Sequence, residues 1–179
     1  MSFDFSILDF IQSHLRCGFL DTVLVFITKL GNSGWIWIAV TLLLLLLPKT
    51  RKWGLAMAVS LALESLCCDM LLKPLVARPR PFTVNPSVTL LIAPPHGFSF
   101  PSGHTGASFA ATSALYFSKS RFWIPALLLS AAIAFSRLYL YVHYPTDVFA
   151  GALLGCAAGY FGSRLTELAG RGTKEERGA

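Results

Sequence analysis

Long apolar runs separated by short polar or proline-rich breaks organise this chain, and the period of their polar positions predicts helices. FDFSILDFIQSHL, Phe3 to about Leu15, places polar residues at a helical period and too often for a membrane crossing, so residues 1–16 are expected to form an amphipathic interfacial helix. Gly18 to Leu30 is an apolar run short for a full crossing, ended by the turn sequence Gly31-Asn32-Ser33-Gly34. Trp35 to Leu47 reads as a strong span stopped by Pro48, with two tryptophans suited to the interface. Further helices are expected over about Trp53 to Leu72, Gly103 to Phe117, Phe122 to Tyr141 and Asp147 to Leu168. Between them, prolines 74, 79, 81, 86, 94, 95 and 101 predict a non-helical loop over residues 74–101.

Composition turns this pattern into a class. The chain is 54% hydrophobic and 13% charged, with a mean hydropathy of +0.60, whereas a soluble domain carries roughly a quarter charged residues. The expected fold is all-α: a polytopic membrane helical bundle of about five to six transmembrane helices in a single membrane-embedded domain, residues 1–179, with a charged tail over residues 170–179. The formal charge of +6 sits at the ends of apolar runs, as membrane anchoring requires, and excludes a nucleic-acid partner. Acidic residues stand where a signal peptide would be basic, so the first segment is expected to be retained. Cys17, Cys67, Cys68 and Cys156 have no metal or disulfide spacing, three of them lie in or at the edge of apolar runs, and they are expected to be buried apolar thiols.

Charge then sets orientation. Lys49, Arg51 and Lys52 predict a cytoplasmic turn, which sends the loop of residues 74–101 outside, returns Lys119 and Arg121 inside, places residues 142–146 outside and brings Arg164, Arg171, Lys174 and Arg177 back in. Lys73, Arg78, Arg80 and Arg137 break the rule at the external end. Cations that topology does not want call for an anion.

Three segments converge there: KPLVARPRP from Lys73, PSGH from Pro101 and SRLYLYVHYPTD from Ser136. Arginine offers a planar fork of donors to phosphoryl oxygens, and Lys73, Arg80 and Arg137 supply the charge. Ser102 and Gly103 open a helix whose unpaired N–H groups favour an anion. His104 and His143 have the side chain suited to nucleophilic or acid work near neutral pH. Asp147, in the first turn after Pro145, is placed to reach back to His143 and fix its tautomer.

Those three segments, in this order and with every position filled, resemble the tripartite signature of the type 2 phosphatidic acid phosphatases, the membrane lipid phosphatase branch of a superfamily that also holds the vanadium haloperoxidases. The resemblance implies a phosphatase that needs no metal or other cofactor. His143 would attack phosphorus to form a phosphohistidine, Asp147 would orient it, and His104 would protonate the leaving oxygen and then activate water. Lys73, Arg80, Ser102, Gly103 and Arg137 would bind phosphate. With Asp147 the one acidic residue in the cluster, the absence of hard-cation ligands agrees. The expected substrate is a lipid phosphate: undecaprenyl diphosphate first, phosphatidylglycerol phosphate or phosphatidic acid next, cleaved at the external, periplasmic face of the cytoplasmic membrane. A non-catalytic lipid-phosphate binding or transport protein is the rival from another class. The apolar spans argue against a haloperoxidase, which is soluble.

Other polar residues carry plainer readings. His14 and His96 are expected to be surface or packing residues. Lys73 is also expected to pair with Asp69 one turn earlier. Arg78 is read as a headgroup contact or a solvated cation as readily as a catalytic one, Glu64 as protonated or facing the bundle interior, and Tyr139, Tyr141 and Tyr144 as interface packing before a lipid path.

Overall fold

The computed structural model describes residues 2–178, whose regular elements are all helical, with no strand among the described residues and a long non-helical segment over residues 85–102. Helix α1 (Ser2–His14) is followed by α2 (Gly18–Leu30), a 3-10 turn at Asn32–Gly34, and α3 (Trp35–Leu46). Helix α4 (Arg51–Ser65) passes through a π-helical stretch, Leu66–Leu72, into the single turn α5 (Lys73–Val76). A second single turn, α6 (Pro81–Val84), precedes α7 (Gly103–Phe117), α8 (Trp123–Tyr139) and α9 (Pro145–Gly178). The side chains of residues 171–178, including Arg171, Lys174 and Arg177 of the expected tail, lie outside the described ones.

The loop expected over residues 74–101 is therefore not free of helix. Pro81 opens its single turn after the extended Arg80, where a missing N–H costs nothing and the fixed φ suits the helix, whereas Pro74 lies in the last turn of the helical run that continues from α4 through the π-helical stretch. What the prolines prevent is propagation.

The Gly31–Gly34 segment also behaves differently from a chain reversal. Ser33 and Gly34 have positive φ, but α2 and α3 are bent by only 48° relative to each other. Their partners descend the bundle in order: Cys17 meets Tyr139, Thr28 meets Arg137, Asn32 meets His104, Trp37 meets Ser108 and Leu45 lies against Gly54. The pair makes one broken traverse. Arg51–Val84 and Pro145–Gly170 are each long and apolar enough to cross a membrane, and the bent pair makes a third when taken as one. Helices α7 and α8, of 15 and 17 residues, run between the same two ends. Among the described residues the bundle thus has five traverses, and α1 packs at the end where α7 and α9 begin.

The α7–α9 seam fixes that end. A Cβ on Gly151, Gly155 or Gly159 of α9 would come within 2.6, 2.3 and 2.4 Å of Ser102 O, Gly106 O and Ser113 Cβ respectively. Glycine at every fourth position lets the two backbones touch, as in close helix packing within membranes. The backbone N–H of Ser102 then donates to Asp147 O at 3.1 Å. A core of Trp37, Met57, Ala111, Leu115 and Ile133 fills the middle of the bundle. Leu8 and Ile11 of α1 anchor it on Tyr139, Leu140, Tyr141, Val142 and Tyr144.

Candidate active site

Asp147, wholly buried, is the most constrained group at this end. One oxygen, Oδ1, accepts from Arg78 Nη1 at 2.6 Å. The other, Oδ2, accepts from Ser99 Oγ and from the backbone N–H of Tyr144 at 2.9 Å, and lies 3.5 Å from His143 Nδ1. The i, i+4 relation across the start of α9 brings the carboxylate under the imidazole, as the Pro145 start predicts.

His143 is 2% exposed. Its Nε2 lies 3.2 Å from Arg80 Nη1. Arginine only donates, so Nε2 is the unprotonated nitrogen and the proton sits on Nδ1, facing Asp147. Burial lowers the His143 pKa to about 4; the Asp147 carboxylate opposes that shift and the Arg137 and Arg80 charges add to it. The ring is a neutral base with its lone pair on Nε2.

Arg80 is held on three carbonyls, donating to Gly97 O at 3.0 Å, His96 O at 3.1 Å and Val142 O at 3.0 Å. His96 thus contributes its backbone. Arg137, 2% exposed, donates to Thr28 Oγ1, and its Nε has no partner within the protein. An unpaired buried guanidinium N–H is costly unless an anion visits it.

Ser102 is buried at the start of α7, with its hydroxyl 3.0 Å from Thr105 Oγ1. It makes no side-chain cap, which leaves the first N–H groups of α7 free toward the site. Lys73 pairs with Asp69 at 2.6 Å, and its Nζ would be 3.3 Å from a Cβ on Gly103. Any side chain there would push the cation away. Lys73, Arg80, Arg137 and His143 all lie close enough to act electrostatically on His104, so the three sequence segments meet around one space.

His104 is half-buried and its Nε2 lies 3.0 Å from Asn32 Oδ1. With Gly103, Lys73, Asp69 and Glu64 it borders a cavity of about 470 Å³ whose apolar walls include Ile38, Leu61 and Ala107. Glu64 is 3% exposed, with Oε1 buried and unpartnered beside Gly106. It faces the bundle interior.

Three groups escaped the sequence reading. Arg78, read from the sequence as a headgroup contact or solvated cation as readily as a catalytic one, bridges Asp147 and Asp4 and lies over the Tyr144 ring at 3.8 Å. Ser99 and Asn32 each hold a site residue but stood in the sequence as ordinary loop and turn residues. Ser99 stood close before the PSGH motif, a signal of proximity; Asn32, in the Gly31–Gly34 turn, had none.

A histidine on a carboxylate, ringed by cations at one end of an apolar bundle, makes a candidate anion site in a membrane protein. The profile of the PAP2 superfamily matches residues 53–171, and the chain belongs to that family. It is 38% identical over 139 residues to an undecaprenyl-diphosphatase of Sulfolobus acidocaldarius, covering 76% of this chain and 66% of that protein, so it spans just under two thirds of that relative's length. The structure resembles LpxE of Aquifex aeolicus with a TM-score of 0.81 and 27% identity over 92% of this chain and 96% of the other. It also resembles a PAP2-type phosphatidylglycerolphosphate phosphatase of Bacillus subtilis, with a TM-score of 0.76 and 27% identity over 93% and 85% of the two chains.

Proposed function

We propose that this protein is a membrane lipid phosphatase that hydrolyses undecaprenyl diphosphate through a phosphohistidine, with its site at the external face of the cytoplasmic membrane. The observation that carries the reading is the His143–Asp147 pair, with an unprotonated Nε2 set among Arg80, Arg137 and Lys73. Substrate phosphate enters this ring and draws Arg80 Nη1 onto a phosphoryl oxygen, freeing the Nε2 lone pair. His143 attacks phosphorus, the P–O bond to the leaving group breaks, and the imidazole becomes a cation facing Asp147.

The same three cations, the Arg137 Nε and the N–H groups at the start of α7 stabilise the charge spread over the phosphoryl oxygens. His104 gives its proton to the leaving oxygen and then takes one from the water that cleaves the phosphohistidine. Ser102 and Gly103 shape the cradle and admit Lys73. The chemistry is read as falling to the protein's own groups, with the cations taking the charge that develops on the phosphoryl oxygens.

The lipid assignment rests on the kinship with an undecaprenyl-diphosphatase, and the cavity beside His104, polar toward Lys73 and Asp69 and apolar at Ile38, Leu61 and Ala107, suits a phosphate whose prenyl tail remains in the bilayer. Phosphatidylglycerol phosphate is the second reading, favoured by the likeness to the Bacillus subtilis enzyme. The external face is supported by the positive-inside rule, with Lys49, Arg51, Lys52, Lys119 and Arg121 at the opposite end of the bundle. Purified protein in detergent with excess chelator is expected to release phosphate from undecaprenyl diphosphate with the highest kcat/KM in a panel including phosphatidylglycerol phosphate and phosphatidic acid. His143→Ala is expected to have no turnover above background. A His143→Ala protein with normal turnover would overturn the mechanism, and a different order within the panel would overturn the substrate.

A further inference from the structure

The N-terminal helix reaches the site's carboxylate through one side chain. Asp4, in the first turn of α1 and 4% exposed, accepts from Arg78 Nη2 at 2.8 Å. It also accepts from the backbone N–H and hydroxyl of Thr146, at 3.1 and 3.0 Å. Thr146 is the residue before Asp147, and Arg78 Nη1 touches both Thr146 Oγ1 at 2.7 Å and Asp147 Oδ1 at 2.6 Å. Asp4 therefore grips the start of α9 twice, once through the backbone and once through Arg78. We propose that Asp4 is a positioning residue for the phosphatase reaction, acting through Arg78 to hold the Asp147 carboxylate and the charge around His143 in their working state. This rests on the catalytic reading above.

Two physical arguments support it. The first is geometric: the two oxygens of Asp147 have separate tasks, and Arg78 on Oδ1 is what keeps Oδ2 turned toward Ser99, Tyr144 N–H and His143. A small misplacement of a catalytic group costs about a hundredfold per ångström-scale shift. The second is charge. The groups facing His143 and Asp147 from every packed element are Arg80 and Arg78 from the long loop, Arg137 from α8 and Asp4 from α1. Arg80 and Arg137 disfavour the imidazole cation that forms on attack, and Arg78 draws on the carboxylate that stabilises it; Asp4 offsets Arg78 at Asp147's far oxygen. Ion pairs this shielded from water couple strongly to their neighbours.

The role differs from mere docking of α1, because α1 has a second polar tie that avoids Arg78: Tyr141 Oη donates to Asp9 Oδ1 at 2.8 Å. The experiment compares Asp4→Asn, Asp4→Glu, Asp9→Asn, Arg78→Gln and the Asp4→Asn/Arg78→Gln double variant, after wild-type turnover and its loss in His143→Ala have established the parent reading. Rates are normalised to monodisperse folded protein. Asp4→Asn is expected to lower kcat about tenfold or more with KM within twofold, Asp4→Glu to recover part of it, and Asp9→Asn to keep wild-type kcat. In the Arg78→Gln background, Asp4→Asn is expected to cost nothing further. Additive losses in the double variant, an equal loss in Asp9→Asn, or an unchanged kcat in Asp4→Asn would overturn the proposal. Where Asp4→Asn fails to fold, Asp4→Glu alone and over Arg78→Gln decides by the same criteria.

Discussion

The two histidines of the site live in opposite surroundings. His143 is enclosed, its Nε2 met by Arg80 and its Nδ1 turned to a carboxylate that has three further partners of its own. His104 has one side-chain contact, to Asn32, and borders a cavity of about 470 Å³. The enclosed half is built for a single geometry, the attack on phosphorus, which is the same for every lipid phosphate. The open half must receive whatever the phosphate is attached to. Chemistry is therefore fixed on one side of the phosphorus and substrate choice is made on the other.

The sharpest way to break this contrast is Asp147→Asn, which keeps shape but removes the charge that stabilises the imidazole cation. We expect kcat to fall by about 10³–10⁴ while vanadate still binds with little loss, because Arg80, Arg137 and Lys73 remain; loss of vanadate affinity in step with kcat would show that the two halves are not separable. His104→Ala is expected to cost about 10²–10³ with a lipid substrate. The loss should shrink to within about tenfold with p-nitrophenyl phosphate, whose leaving group needs little protonation, and equal losses on both would remove His104 from the acid role.

The smallest effect is in pH. His143 titrates near pH 4 in the folded protein against an ordinary value near 6.5. Its folded pKa is lowered, so between pH 6.5 and 4 the unfolded chain takes up a proton that the folded one refuses, and this contribution to stability declines as pH falls through that window. For the same reason the nucleophile stays neutral. After correction for substrate ionisation, kcat/KM is expected to fall less than twofold from pH 7 to pH 5, where a histidine of ordinary pKa would lose about thirtyfold. A steep acid limb above pH 5 would mean that His143 is wetter than its burial indicates.

Much of this was legible from residues alone, for reasons that also mark the limits. Helices α2 and α7 begin and end where apolar periodicity and capping place them, because a membrane bundle has little but hydropathy to obey. The bend between α2 and α3 was not legible: Gly-Asn-Ser-Gly announces a break, yet an Asn, Ser and Gly turn carries no statement of the angle, and here the chain continues in the same direction. Among the site groups, His143 and Asp147 announce themselves by their i, i+4 spacing, and Arg80 by its place in the first motif. Arg78 sits two residues away in a proline-rich loop, and its meaning comes from Asp4, 74 residues earlier in the chain. No local pattern encodes a partner at that distance.

One contact among these segments involves no side chain at all. Ser102 N–H to Asp147 O stitches the second motif to the third through the main chain, next to glycines that leave no room for anything else. Such a stitch needs no particular side chain at 102 or 147, only a residue other than proline at 102 and the glycines of α9 beside it, so the registration of the two motifs is insulated from drift in most of the residues they carry. A lineage can retune the cradle around a new lipid, one side chain at a time, while the distance between the helix that receives the phosphate and the helix that carries its nucleophile's carboxylate stays the same.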